Sequence, residues 1–344
     1  MISETPKKRR FSMERMKKTG LEKFFVLVLA GLTLFLWTAQ ADCAYPDRQV
    51  EMIVAFGPGG AADVAARLVS SYMSKKWDQP INVINMPGAS GIIGTRHVLN
   101  SKPDGYTLMM DNHAVSAMLA ATQMELPFKW DNRTVISRVT VDPVIFSVKS
   151  DSPWKSLKEV ADHIGKNPKV LRWGVAGVTA VGAFAMPEFL DVSNLPTDSL
   201  NRVVFKSGGE VVTNLAGGHI DLAAQQYSES AGLLTAGKVR GLCVVHTERL
   251  PGLNDIPTAK EVGYPGLTVY GWQGLSGPAG LPKEVVDKWS KAIQEASKDP
   301  AFLEQAAKIY KIVAYMNPEQ FREFMQAEYK RYLPMAERLG MRKK

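Results

Sequence analysis

From Val50 onward, short apolar runs alternate with amphipathic stretches. Residues 50–56 form an apolar run that Gly57-Pro58-Gly59-Gly60 closes. Over 61–76, Val64, Leu68 and Tyr72 recur at helical spacing, with Ala65, Val69 and Met73 beside them, which predicts a helix with one apolar face. Residues 81–85 read as a second strand, 86–91 (MPGASG) as a loop, 92–100 as a short helix and 106–110 as a third strand after the Pro103-Asp104-Gly105 turn. The rhythm then returns, with strands expected at 144–148, 170–175, 202–205, 220–225 and 239–245, and extended chain at 267–272. Ser156-Leu157-Lys158-Glu159 and Thr258-Ala259-Lys260-Glu261 read as capping boxes that open helices. The C-terminal part reads as helical: 283–297 after Pro282, 302–310 after Pro300, and a last helix from an Asn317 N-cap to about Arg338. Such an order predicts the α/β class, with parallel sheets covered by helices. The pattern suggests two lobes of comparable plan with no linker, so the chain would cross between them more than once.

The N-terminal segment follows a different rule. Residues 24–37 (FFVLVLAGLTLFLW) are apolar, uncharged and preceded by basic residues. About 20 residues are needed to span a bilayer, so the run suits the core of a signal peptide better than an anchor. Ala39-Gln40-Ala41 supplies the small-x-small cleavage pattern, which predicts a signal peptide over 1–41 and a periplasmic address, an uncleaved anchor being the alternative. Asp42 before Cys43 disfavours a lipoprotein, and Met16-Lys17-Lys18 offers a second start that would give a more usual signal peptide. Two cysteines, Cys43 and Cys243, make neither a disulfide scaffold nor a structural zinc site; a bridge between them is allowed and not demanded. The formal charge of +8 hints at an acidic partner. Residues 1–41 hold eight Lys/Arg against three Asp/Glu, which leaves 34 bases against 31 acids, a net of +3, beyond them. A nucleic-acid partner is therefore not expected.

The sharpest local chemistry lies in two glycine-rich loops. Phe56-Gly57-Pro58-Gly59-Gly60-Ala61-Ala62-Asp63 joins a strand to a helix, and Pro87-Gly88-Ala89-Ser90-Gly91 has the same placement. Glycine lets backbone approach a ligand, and a helix N-terminus offers free N–H groups and a partial positive charge, so such loops suit an anion. Plain tight turns are the alternative. Gly-Pro-Gly-Gly is not the G-x-G-x-x-G of dinucleotide sites, and no Gly-Lys-Ser/Thr follows as in a P-loop. Asp63 stands four residues before Arg67, where the two can pair on one helix face; it could instead clamp its own loop or meet a ligand ammonium. His113, after Asp111-Asn112 at a strand end, could line a pocket or be a satisfied histidine. The five histidines show no metal-ligand spacing, and no G-x-S-x-G elbow exists, so neither a metal nor a catalytic residue is expected. Trp272 and Met109-Met110 read as packing residues.

These residues resemble the periplasmic solute-binding proteins of tripartite tricarboxylate transporters, the Bug or TctC family. The likeness runs from Tyr45-Pro46 through the GPGGAAD loop, Asn85-Met86-Pro87-Gly88-Ala89-Ser90-Gly91 and Pro103-Asp104-Gly105-Tyr106-Thr107-Leu108. It continues through Phe205-Lys206-Ser207-Gly208, Ala216-Gly217-Gly218-His219-Ile220-Asp221, Trp272-Gln273-Gly274 and Pro278-Ala279-Gly280-Leu281-Pro282. The resemblance implies a two-lobed type II periplasmic-binding-protein fold: 42–146 with 268–344 as one lobe, 147–267 as the other, and crossing strands near 144–148 and 267–272. It implies ligand binding by Phe56, Gly59, Gly60, Ala61 and Asp63, with Gly88, Ala89, Ser90 and Gly94 from the second loop. From the other lobe it implies Thr179, Ala180, Ser207, Gly208 and Tyr227 at the Gln226-Tyr227 strand end. Asp111-Asn112-His113 and Val178-Thr179-Ala180 depart from the family's smaller, more Gly/Ser-rich residues there. The expected function is capture of a small organic carboxylate or amino acid for membrane permease subunits, by a monomer without cofactor. Service to a sensor kinase or chemoreceptor, or an NAD-dependent enzyme acting on a small acid, are the alternatives.

Overall fold

The computed structural model describes residues 45–342 except Val178 and Pro251. The expected signal peptide over 1–41, its expected cleavage site and Cys43 therefore lie outside the described residues. Every element falls within one unit that begins at Arg48.

The first three strands are short and β-branched or apolar, as a buried parallel strand requires. Strand β1 (Val50–Val54) pairs in parallel with β2 (Ile81–Asn85) and β3 (Thr107–Asn112). Helices α1 (Ala61–Trp77) and α2 (Ile92–Leu99) connect them. A π-helical turn (Ala114–Met118) and α3 (Leu119–Thr122) follow β3. Strand β4 (Arg133–Asp142) is joined through Pro143 alone to β5 (Val144–Lys149), yet the two belong to different sheets.

The second sheet repeats the plan. Strands β6 (Arg172–Val175), β7 (Asn201–Val204) and β8 (Leu222–Gln226) run parallel, β6 being central. Helices α4 (Leu157–Lys166), α5 (Val181–Val192), α6 (Gly208–Ala216) and α7 (Tyr227–Thr235) accompany them. Strands β5 and β9 (Val239–Val245) add antiparallel, giving the order β7-β6-β8-β5-β9. The chain returns through 246–270 to β10 (Gly271–Pro278), which lies antiparallel between β3 and β4. Helices α8 (Lys283–Ala296) and α9 (Pro300–Lys308), edge strand β11 (Ile312–Met316) and α10 (Pro318–Arg338) complete the chain. The first sheet thus has the order β11-β4-β10-β3-β1-β2.

Three sequence expectations need correction. The sheets are mixed rather than wholly parallel, because the crossing strands β4, β5 and β10 enter antiparallel to their neighbours. The Thr258 box forms, with Glu261 Oε2 accepting the Thr258 N–H at 2.6 Å, but it closes turns over 259–263 rather than a helix. Gly263 (φ 88) and Pro265 stop the chain there. The C-terminal region also contains β11, where only helix was expected.

The last helix serves both sheets. Near its start, Phe321 and Met325 pack with Trp272 and Val135 of the first sheet. Near its end, Tyr332 and Met335 enter the core around Phe146, Trp173 and Phe184. The Tyr332 and Phe184 rings meet edge-on at 5.1 Å. Trp272 and Met109-Met110 are wholly buried, as packing residues should be.

Candidate functional site

Four helices begin at one cavity between the two sheets. Its lining includes Gly60 and Ala61 at the start of α1, Ala180 and Val181 at the start of α5, Ser207 and Gly208 at the start of α6, and Gln226 before α7. Every helix start leaves unpaired N–H donors and a partial positive charge. Ser207 caps α6 by accepting the Glu210 N–H. Gly60 and Ala180 give their helices no side-chain cap. Alanine is a poor N-cap, about 1 kcal/mol worse than serine, so the first N–H groups of α5 stay without a side-chain partner at a local cost, the Ala183 N–H bonding to Ala180 O at 2.8 Å. The cavity measures about 410 Å³ including its open mouth, but only about 40 Å³ admits the centre of a water molecule. Its walls therefore stand close together.

The structure brings Phe56, Gly60, Ala61, His113, Ala180, Ser207 and Gly208 into the lining. The other expected site residues have different surroundings. The Asp63 carboxylate accepts the Gly59 N–H at 3.0 Å, the Asn85 amide at 3.0 Å and Arg67 at 2.9 Å. Burial raises its pKa, but these bonds more than offset that and hold it below the usual carboxylate value. Asp63 is thus a clamp for the first loop, the arrangement that the Arg67 spacing allowed, and Gly59 is held by it. Gly88, Ala89, Ser90 and Gly91 all have positive φ, a left-handed run that only the glycines adopt without strain. Thr179 Oγ1 donates to Ser90 O at 3.4 Å, linking the second loop to the segment before α5. Tyr227 packs edge-on against Tyr310, 5.4 Å between rings, behind the cavity wall.

Gly94 has a packing role. A Cβ there would lie 2.9 Å from Met86 O and 3.0 Å from Ala55 Cα, both backbone atoms. Overpacking costs about 1–3 kcal/mol, against which alanine recovers about 1 kcal/mol of helix propensity. Gly94→Ala should therefore lower stability by roughly 1–2 kcal/mol in urea unfolding. A variant as stable as wild type would place α2 farther from β1 than described.

Sequence reading marked the Gln226 strand end and noted Asn112 within the triplet that departs from the family, but missed Gln225, Glu229 and Gln273; the five together supply most of the polar lining. Asn112 Oδ1 caps the helical turn after β3 by accepting the Ala114 and Val115 N–H groups. His113 Nδ1 lies 3.2 Å from Trp272 N and 3.4 Å from Trp272 O, accepting from the first in one tautomer and donating to the second in the other. Gln273 Nε2 donates to Gln226 Oε1 at 2.9 Å, joining the two sheets. Glu229 is partly buried and reaches across the gap, where its Oε1 accepts the Ala61 N–H at 3.0 Å. The Cys243 thiol is buried, and burial pushes its pKa up.

His113 and Glu229 give opposite pH dependences. Burial pushes His113 from 6.5 down to about 4. Between these values the unfolded chain binds a proton that the folded chain refuses, so stability falls as pH falls. Burial, and then Asp142, push Glu229 from 4.5 up to about 7. Between those values the folded chain holds the extra proton, so stability falls as pH rises. The two slopes largely offset in the wild type. Glu229→Gln should unmask a loss of about 3 kcal/mol between pH 6.5 and 4, relative to wild type. His113→Gln should do the reverse and gain stability on mild acidification. Urea unfolding across this range checks both, and curves parallel to wild type would refute the opposition.

A family model described as tripartite tricarboxylate transporter family receptor, TctC, matches residues 65–341. The chain belongs to this family. A UPF0065 protein from the TAR-I ttuE-ttuC' intergenic region of Agrobacterium vitis is 30% identical over 296 residues, 86% of this chain and 84% of that protein. The solved periplasmic binding protein BugD is 28% identical, with a TM-score of 0.81 over 87% of this chain and 100% of its own. MatC from Rhodopseudomonas palustris, solved with bound malate, is 28% identical, with a TM-score of 0.78 over 85% of this chain and 99% of its own. The Bug/TctC resemblance in the sequence and the periplasmic-binding-protein fold are both correct. The chain is a solute-binding receptor of the tripartite transporter type.

Proposed function

We propose that this protein captures a small organic carboxylate in the periplasm and delivers it to the membrane permease subunits of a tripartite transporter. The observation that carries the ligand class is the convergence of four helix starts, that of α5 without a side-chain cap, on one narrow cavity. Backbone donors at helix starts hold a carboxylate without arginine, each bond to a charged group being worth about 1.5–3 kcal/mol. The malate in MatC supports the same class. Residues 42–146 with 268–344, and 147–267, act as lobes that close on the ligand, because the ligand contacts both only when they are together. The protein works as a monomer after removal of residues 1–41, and it binds its ligand without transforming it.

A thermal-shift screen of the secreted protein against organic acids tests the reading. A ligand at about 100 times its Kd adds about 2.7 kcal/mol of stability. A carboxylate that raises the melting temperature is the expected result. A response to nicotinamide cofactors alone, with turnover of a small acid, would replace binding by catalysis.

A further inference from the structure

Among the described residues lining the cavity, Glu229 is the one acidic side chain, and the one other titratable group, His113, stays neutral above about 4. Its bonds go to backbone: Oε1 to the Ala61 N–H at 3.0 Å, and Oε2 to the Gln226 N–H at 3.4 Å. Lys311 feels its charge but is already bound to Asp142 at 2.5 Å and Gln273 at 3.0 Å. Capping does not explain the carboxylate, since a glutamine at this third helical position caps equally well. Space is kept for it all the same: a Cβ on Gly208 would lie 2.0 Å from Glu229 Oε2.

The opposite chemistry lies in the same cavity. Gln225 is buried, and its Nε2 has no hydrogen-bond partner. An unpaired buried donor is costly and calls for an acceptor. The uncapped start of α5 adds further donors. One cavity thus offers donors for a carboxylate and a carboxylate without a cation.

Resting on the carboxylate reading above, we propose that Glu229 is the counter-ion for an amino group, so that the site selects carboxylates that also bear an ammonium, the chemical class of amino acids. The ligand carboxylate meets the α5 start and Gln225, and its ammonium meets Glu229. An unpaired carboxylate in a cavity resists ionisation, in keeping with a Glu229 pKa raised by burial to about 7. A bound ammonium reverses that, so binding releases a proton and strengthens as pH rises. The charged neighbours do not obscure this. Asp142 and Lys311 are paired, Asp63 is paired with Arg67, Glu210 accepts the Lys206 N–H, and His113 stays neutral above about 4.

Calorimetric titration with matched pairs tests the proposal: succinate and aspartate, glutarate and glutamate, propionate and alanine, isocaproate and leucine. An amino member should bind about tenfold or more tightly than its partner, and more tightly at about pH 8 than at about pH 6. Glu229→Gln should remove that advantage, and Glu229→Asp, which keeps the charge on a shorter arm, should restore part of it. If only des-amino acids bind, and Glu229→Gln tightens them, Glu229 competes for the anion seat; the proposal fails while the carboxylate reading stands. If no member of any pair binds, that reading fails and takes the proposal with it. Should Glu229→Gln unfold, the pH dependence and Glu229→Asp decide.

Discussion

Replacing Arg133 by methionine is expected to cost about 3–5 kcal/mol of stability, the loss seen when one partner of a buried ion pair is removed. Both side chains of the Arg133–Asp111 pair are wholly buried, with Nη1 and Oδ2 2.8 Å apart. Arg133 also donates to Trp130 O at 2.7 Å and Ser116 Oγ at 2.6 Å. Asp111 accepts from Ser276 at 2.7 Å, from Ser116, and from the Asn112 N–H at 2.8 Å. One network thus ties β3, β4, β10 and the π-helical turn together directly beneath His113. Without Arg133, Asp111 keeps its neutral bonds but holds a buried charge with no counter-charge. The double variant Asp111→Leu with Arg133→Met removes both charges and should recover most of the loss. Urea unfolding of the two single variants and the double variant gives the coupling. Single variants within about 1 kcal/mol of wild type would mean that the site relaxes or admits water.

This network also explains what the sequence hid. Asp111-Asn112-His113 stood out as a departure from the family pattern, but its three roles are separate. Asp111 pairs with Arg133, Asn112 caps the next turn, and His113 enters the cavity. Strand β4 escaped notice because Arg133, Arg138 and Asp142 make it look like a polar loop. Each of those charges is satisfied by a distant residue: Asp111, the Ala314 carbonyl and Lys311. Periodicity cannot show a partner more than twenty residues away. The strands of parallel units were legible because β-branched runs ended in glycine turns. The same turns marked Gly60, Ala61, Ser207 and Gly208, which the structure places in the cavity lining. The amides and Glu229 had no such punctuation. The resemblance did mark the Gln226-Tyr227 strand end, and the rule that ligands in α/β sheets bind at the carboxyl ends of strands extends that signal to Gln225 beside it.

The second large effect is expected at the crossing itself. Lys311→Met should lower stability by about 3–5 kcal/mol and weaken ligand binding as well. Asp142 is the last residue of β4 before Pro143, and its side chain and that of Lys311 are wholly buried. Its carboxylate accepts the Ser228 N–H at 3.1 Å and the Ser228 hydroxyl at 2.6 Å, at the start of the helix that carries Glu229. Lys311 donates in turn to Gln273 Oε1, and Gln273 donates to Gln226. The pair thus anchors two cavity amides and one helix start at the point where the chain passes between sheets. Removing the lysine strands the Asp142 charge and takes from Gln273 Oε1 one of its two donors, leaving the Thr140 hydroxyl at 2.7 Å to hold it. Adding Asp142→Asn neutralises that charge and should recover stability, while Gln273, still without its lysine, should leave affinity low. Urea unfolding and calorimetry on Lys311→Met and the double variant separate the two effects. If affinity returns together with stability, the pair supports the fold alone and Gln273 needs no anchor. If both stay near wild type in the single variant, the pair is no stronger than an exposed one, and the crossing is held by β-sheet bonds instead.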